Sequence, residues 1–178
     1  MRKITNPELG RPTPEEYRRA GKLPIAVMLD NVRSAGNVGS FFRTCDAFAI
    51  REIILCGITA SPPSKEIHKT ALGAEFTVPW KYFRDSGEAI EYLKEGGYAI
   101  IAVEQAEAAV PLGEFDFRSG GKYAFVFGNE VDGVSQEIMD IADGAIEIPQ
   151  AGTKHSLNVA VSGGAVLWEV FRQLYQKF

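Results

Sequence analysis

Phe127-Gly128-Asn129-Glu130-Val131-Asp132-Gly133-Val134 and Ile148-Pro149-Gln150-Ala151-Gly152-Thr153-Lys154-His155-Ser156-Leu157-Asn158-Val159 share one feature: each cuts off an apolar, strand-like run with polar, turn-forming residues. In an open parallel sheet, ligands gather at the carboxyl ends of strands, where loops replace ladder hydrogen bonds. Both segments therefore read as loops built around a ligand.

Outward from these loops, apolar runs alternate with amphipathic stretches from residue 23 onward. Strands are expected over 24–29, 52–56, 76–78, 99–103, 123–127 and 145–148, and helices over 39–48, 87–95, 135–141 and 157–176. Such alternation predicts an α/β domain over 23–178, with helices flanking a mostly parallel sheet. Residues 1–22 read as a basic N-terminal arm with one short helix over 14–20, which Thr13 caps and Glu16 completes as a capping box. The last helix is apolar nearly all round: Leu157, Val161, Ala165, Trp168, Phe171 and Tyr175 mark one side, with Ala160, Leu167, Val170 and Leu174 beside them. One apolar stripe suffices to dock a helix on its own sheet, so the second predicts a partner helix and a homodimer.

A length of 178 residues fits one domain. No apolar run approaches the roughly 20 residues of a membrane helix, and the N-terminus lacks the apolar core of a signal peptide, so a cytoplasmic protein is expected. Cys45 and Cys56 lie in apolar surroundings and read as buried thiols. With His68 and His155 the only histidines, no protein-bound metal is expected. The net charge of −4 disfavours phosphate binding by the surface as a whole. Residues 1–22, however, hold six Lys or Arg against three Glu, a balance of +3 that leaves −7 for the remainder. A nucleic-acid site would have to be a local patch.

Three polar clusters fall at expected strand ends. Asn31, Arg33, Asn37 and Arg43 follow the first strand, Gly128, Asn129 and Glu130 follow that over 123–127, and the loop starting at Gln150 follows the last. The strand ending at Val103 adds Glu104 and Gln105. By itself this convergence marks only an active or binding cleft. Ser34-Ala35-Gly36-Asn37-Val38-Gly39-Ser40 lacks both the Gly-Lys-Ser/Thr ending of a P-loop and the Gly-x-Gly-x-x-Gly of a dinucleotide fold. Each cluster also has a structural reading: Arg43 laying its stem along an apolar helix face, Glu130 favouring the dipole of the helix near Ser135, and Ser156 capping the last helix with Asn158 in its first turn.

Taken together, Asn37-Val38-Gly39-Ser40-Phe41-Phe42-Arg43, Gly128-Asn129-Glu130-x-x-Gly133 and Ser156-Leu157-Asn158-Val159 after Ile148-Pro149 resemble, in order and spacing, the three motifs of the SpoU/TrmH family of RNA ribose 2′-O-methyltransferases, a branch of the SPOUT superfamily. The resemblance runs from about Leu23 to the C-terminus. It implies a fold whose C-terminal segment threads a preceding loop as a deep trefoil knot, a topology too rare to be read from periodicity. It also implies a catalytic group of Arg43, Asn37, Glu130, Ser156 and Asn158, with Arg43 foremost. Since a guanidinium stays charged in proteins, that arginine is expected to hold the phosphate beside the target ribose and to stabilise developing oxyanion charge, while water or the phosphate takes the proton.

The family's cofactor is S-adenosylmethionine, and the resemblance assigns it a pocket at Val103, Glu104, Gln105, Phe127, Gly128, Asn129, Ile148, Gln150, Ser156 and Leu157. Backbone groups there suit an adenine edge, and Val103, Phe127, Ile148 and Leu157 suit its faces. A tRNA or rRNA partner would be met by a basic patch drawn from Arg33, Lys65, His68, Lys69, Lys154 and His155, recognising single-stranded nucleotides and the 2′-hydroxyl. Two other functions remain open from sequence: an RNA-binding protein of this fold without turnover, and a knotted methyltransferase acting on a base nitrogen.

Overall fold

The structure, a computed structural model, describes residues 1–118 and 120–175. Its strands are β1 (Leu23–Asp30), β2 (Ile50–Cys56), β3 (Trp80–Phe83), β4 (Ala99–Val103), β5 (Val110–Pro111), β6 (Tyr123–Phe127) and β7 (Gly144–Glu147). All pair in parallel, in the order β3-β2-β1-β6-β4-β7-β5. The helices are α1 (Pro14–Arg19), α2 (Ala35–Ala47), α3 (Lys65–Ala71), α4 (Ser86–Glu95), α5 (Gln136–Ile141) and α6 (Val159–Leu174). None of those described is long and apolar enough to cross a membrane.

Alternation along the strands sorts the core into two layers. Ile25, Val27 and Leu29 of β1 join Phe125 of β6 and the buried residues of α2, α3 and α6. Ala26 and Met28 face the other way, onto Ala89, Ile90 and Leu93 of α4 and Ile138 of α5. Because β1 and β6 are covered on both faces, they read as continuous apolar runs. Val27 sits in register with both Ile53 and Phe125 at the sheet centre. Each such fully buried side chain contributes about 1.5–3 kcal/mol.

The arm's helix keeps its capping box: the Glu16 carboxylate accepts from the Thr13 N–H at 2.8 Å, and the Thr13 hydroxyl accepts from the Glu16 N–H at 3.3 Å. Tyr17 anchors α1, donating its hydroxyl to the Cys45 carbonyl of α2 at 3.5 Å. Cys45 and Cys56 are free and buried.

Several boundaries depart from the sequence expectation. Residues 76–78 are not a strand: a 3-10 turn occupies Ala74–Phe76 after Gly73 at φ 96°, and the strand begins at Trp80. The short α3, capped by Ser64 and holding only Ile67 and Ala71 as buried residues, has too little apolar periodicity to stand out in the sequence. Helix α2 begins four residues earlier than expected, because the Ser34 hydroxyl accepts from the Asn37 N–H at 3.2 Å and Gly36 is drawn into the helix. Helix α6 begins at Val159, with Asn158 rather than Ser156 as its cap; the expected end at Gln176 lies outside the described residues.

Gly39 is where α2 meets α3, since a Cβ there would collide with the Thr70 hydroxyl and the Ile67 carbonyl. Gly39→Ala should therefore cost about 1–3 kcal/mol of stability by forcing two helices apart. Gly36→Ala, which meets nothing closer than 3.6 Å, should be near neutral. Urea unfolding of the pair measures the difference.

Candidate active site

Glu130 joins the loop after β6 to the loop after β1. One carboxylate oxygen accepts from the Arg33 N–H at 3.0 Å; the other accepts from the Ser34 N–H at 3.2 Å and the Asn37 side-chain amide at 2.9 Å. The Asn37 carbonyl oxygen in turn accepts from the Asn158 amide at 3.2 Å, while the Asn158 oxygen caps α6 by accepting from the N–H groups of Ala160 and Val161. A single chain of hydrogen bonds thus runs through all three loops. Partial burial pushes the Glu130 carboxyl up, but the donors from Arg33, Asn37 and Ser34 outweigh it and hold the group below its ordinary range.

Below this chain lies the end of β4. Glu104 accepts from the N–H groups of Val134 at 3.0 Å and Gln105 at 2.9 Å, pinning the 128–134 loop. Gln105 donates its amide to the His155 carbonyl at 2.8 Å, pinning the 148–158 loop. Within the first of these loops the Asn129 side chain accepts from the N–H groups of Val131 and Asp132. A Cβ on Gly128 would collide with the Gly133 backbone, and one on Gly133 would collide with the Glu104 carboxylate, so the turn is as tight as glycine permits.

Between the pinned loops lies a cavity of about 500 Å³. Its apolar walls include Val103, Phe127, Ile148 and Leu157, and Gly128 and Gly133 contribute backbone alone. Its charged lining residues are Glu104, Glu130, Asp132 and Glu147, with His155 beside them and no Lys or Arg. That volume falls in the range of small-molecule sites, and the charge suits a cationic ligand.

Residues 24–168 match the SpoU rRNA Methylase family. The chain belongs to that family. A Thermus thermophilus tRNA (guanosine(18)-2′-O)-methyltransferase is 36% identical over 162 residues, covering 89% of this chain and 80% of that protein. Among solved structures, a TrmH/SpoU tRNA modifying enzyme of A. aeolicus has a TM-score of 0.81 at 29% identity, covering 92% of this chain and 83% of that one. An AdoMet-bound rRNA methyltransferase from Sinorhizobium meliloti has a TM-score of 0.80 at 32% identity, covering 89% of this chain and only 60% of that one.

All ten residues that the SpoU resemblance assigned to the cofactor line the one cavity: Val103, Glu104, Gln105, Phe127, Gly128, Asn129, Ile148, Gln150, Ser156 and Leu157. Of the expected catalytic group, Glu130, Ser156 and Asn158 line it as well, and Asn37 reaches it through its two amide bonds. Arg43 stands apart on α2, exposed, its side chain without a hydrogen bond or ion pair to the described residues. The six expected RNA contacts come from three places: Arg33 after β1, Lys65, His68 and Lys69 on α3, and Lys154 and His155 in the last loop. His155 lines the cofactor-sized cavity itself. Sequence reasoning did not name Val131, Asp132, Gly133, Ile146, Glu147, Val159 or Ser162 among the site residues, although the first three and Val159 lie within the two loops it singled out; Ser162, one turn beyond Asn158, was legible from helical spacing.

Because the Glu130 carboxyl is held below its ordinary value of 4.5, its ties are complete above that pH and are lost as pH falls through the lower folded value. Glu130→Gln should reduce stability by about 1 kcal/mol at pH 7, the low end for bonds to an exposed charge. It should also flatten the slope of thermal midpoint against pH on the acid side. Calorimetric scans between pH 3 and 7 (about the carboxylate range) compare the two proteins.

Proposed function

We propose that this chain transfers a methyl group from S-adenosylmethionine to a ribose 2′-oxygen of tRNA or rRNA. The observation that carries the reading is the hydrogen-bond chain Glu130–Asn37–Asn158, which draws all three SpoU motif loops together at an acidic, half-open cavity. The residues present fit the cofactor: Val103, Phe127, Ile148 and Leu157 suit the adenine faces, loop amides and carbonyls suit its edge, and the carboxylates suit a sulfonium and an ammonium. When bound, S-adenosylmethionine supplies an activated methyl and accepts the electron pair of the broken carbon–sulfur bond.

The protein's share is then alignment and charge. Asn37 and Asn158, each held at both ends of its amide, fix the rim on which a ribose rests. Ser156 offers a hydroxyl there, with no hydrogen bond to the described residues. Arg43, unpaired and exposed, grips the phosphate beside the target ribose and stabilises oxygen charge as the 2′-proton leaves to water or the phosphate. Glu130 holds the loops: its oxygens already accept three hydrogen bonds. Good alignment is worth several kcal/mol of barrier.

Residues 23–178 form the methyltransferase domain in this reading and residues 1–22 a basic arm, in a cytoplasmic enzyme. The C-terminal segment is assigned the family's trefoil knot; what supports it is the return of residues 148–158 against the end of β4, where Gln105 holds the His155 carbonyl. The active form is assigned as a homodimer joined along α6, since Val161 (57%), Trp168 (53%) and Leu157 (40%) leave an apolar stripe exposed opposite the buried Val166, Leu167 and Val170.

Calorimetry should detect S-adenosylmethionine or its demethylated product binding without added metal; absence of binding by both ligands would sink the enzyme reading. Arg43→Ala should abolish single-turnover methylation of responsive RNA while leaving cofactor affinity nearly unchanged, and Arg43→Lys should rescue little, because an ammonium lacks the planar fork. Equal loss of cofactor binding would contradict the assigned role. Sedimentation should give twice the monomer mass for the wild type, and Trp168→Glu should shift it toward monomer.

A further inference from the structure

A second cavity, of about 790 Å³, opens where α3 and the following turn approach the start of edge strand β3. Its walls are largely rings, the planar ones of His68, Phe76 and Trp80 and the saturated ones of Pro62 and Pro63, and Lys65 lines it too. Phe76 is 69% exposed, although Ala74 and Val78 on either side of it are buried. A large aromatic ring left in water beside a cavity is an informative departure from the burial rule, whereas a scattered exposed apolar residue is not.

The floor of the cavity is specifically built. Glu75 is only 6% exposed, and its carboxylate accepts from the Gly73 N–H at 3.0 Å and bonds His68 Nδ1 at 2.5 Å. That bond fixes the imidazole, with its centroid 6.1 Å from that of Phe76. With Nδ1 committed to Glu75, the free edge of the ring is Nε2. Lys65 makes no ion pair with the described residues, and Lys69 pairs only with the exposed Glu66, a bridge of little strength. The acids Glu66 and Glu75 keep the patch close to neutral, so its attraction rests on ring faces more than on charge.

Resting on the RNA methyltransferase reading, we propose that this cavity receives an unpaired nucleobase of the RNA substrate, stacked on Phe76, with His68 Nε2 facing the base edge and Lys65 the adjoining phosphate. Every base has a face that stacks on an aromatic ring, and such stacking tolerates sequence. The location suits a continuous strand: α3 packs directly against α2 through Gly39, and α2 carries Asn37 and Arg43. RNA gripped at Arg43 therefore has α3 as its next support. Helix α6 meets α2 on a different flank, at Phe41, which leaves the α3 surface clear of the assigned dimer face.

The test uses the full chain and a single-stranded RNA of about ten nucleotides, the span of one such binding groove, carrying fluorescein or a 2-aminopurine. Wild-type protein should quench the 2-aminopurine on binding. Phe76→Ala should weaken RNA binding about 5- to 150-fold, the effect of losing one base stack, and abolish the quench, whereas Phe76→Trp should restore both. Lys65→Ala should lower the slope of affinity against salt by about one. Calorimetric affinity for S-adenosylmethionine should be unchanged in all three variants. Wild-type affinity and quenching in Phe76→Ala, with methylation of total RNA intact, would overturn the base site alone. A change of sedimentation mass in Phe76→Ala would also overturn it, marking the surface as a contact between copies. Wild-type protein that bound neither S-adenosylmethionine nor RNA would instead bring down the methyltransferase reading beneath it.

Discussion

Glu130 sits in a loop that follows the sixth strand, yet three of its hydrogen bonds reach residues nearly a hundred positions earlier, at Arg33, Ser34 and Asn37. The candidate site depends on that tie. It sets the direction of the Asn37 amide, and the amide's remaining oxygen holds Asn158 at the start of α6. An isolated carboxylate would lose more by desolvation than it gains from one neutral donor, but three donors, two of them backbone N–H groups, reverse the balance. The depressed carboxyl and the joined loops are two expressions of the same interaction.

Close backbone approach is the second constraint. Gly39 lets α3 lie on α2, Gly163 makes room for the Phe41 ring between α2 and α6, and Gly128 with Gly133 lets a loop fold back on itself beside Glu104. The missing Cβ is replaced by an atom of another element at Gly39, Gly163 and Gly133, and by backbone of its own loop at Gly128, so the glycines act as contact points. Helices that would otherwise sit a side chain apart are brought together around the end of the sheet where β1, β6, β4 and β7 release their loops. This is also where the strand order turns away from sequence order, the usual place for a ligand in an open parallel sheet.

Charge is divided in a way the net value conceals. The lining of the first cavity carries four carboxylates and no Lys or Arg, which suits a cationic cofactor, while the Lys and Arg considered for RNA are absent from it, standing on α2, on α3, in the loop after β1 and, at Lys154, in the last loop. An acidic protein can thus serve a polyanion, provided the acid is spent on the smaller ligand and the cations face the larger one. His155 alone crosses that division.

The sequence by itself determined the α/β class, because β4, β6, β1 up to Leu29 and β2 from Ile53 onward are covered on both faces and are apolar there, and it determined where the ligand loops lie, because Gly128-Asn129-Glu130 and the run after Pro149 stop those patterns abruptly. The motif residues identified the family, and all ten cofactor candidates meet at one cavity. The short α3 and two-residue β5 were illegible, since neither is long enough to show a period, and the expected strand at 76–78 dissolved because Gly73 turns the chain before it. Only the tertiary structure decided that Asn158 and not Ser156 caps α6, that Glu130 is a tie between loops, and that Glu104 and Gln105 hold both walls of the cavity. Each of those roles depends on which backbone N–H or carbonyl lies within about 3 Å of a side chain, a distance set by packing between segments far apart in the chain and invisible to any local pattern.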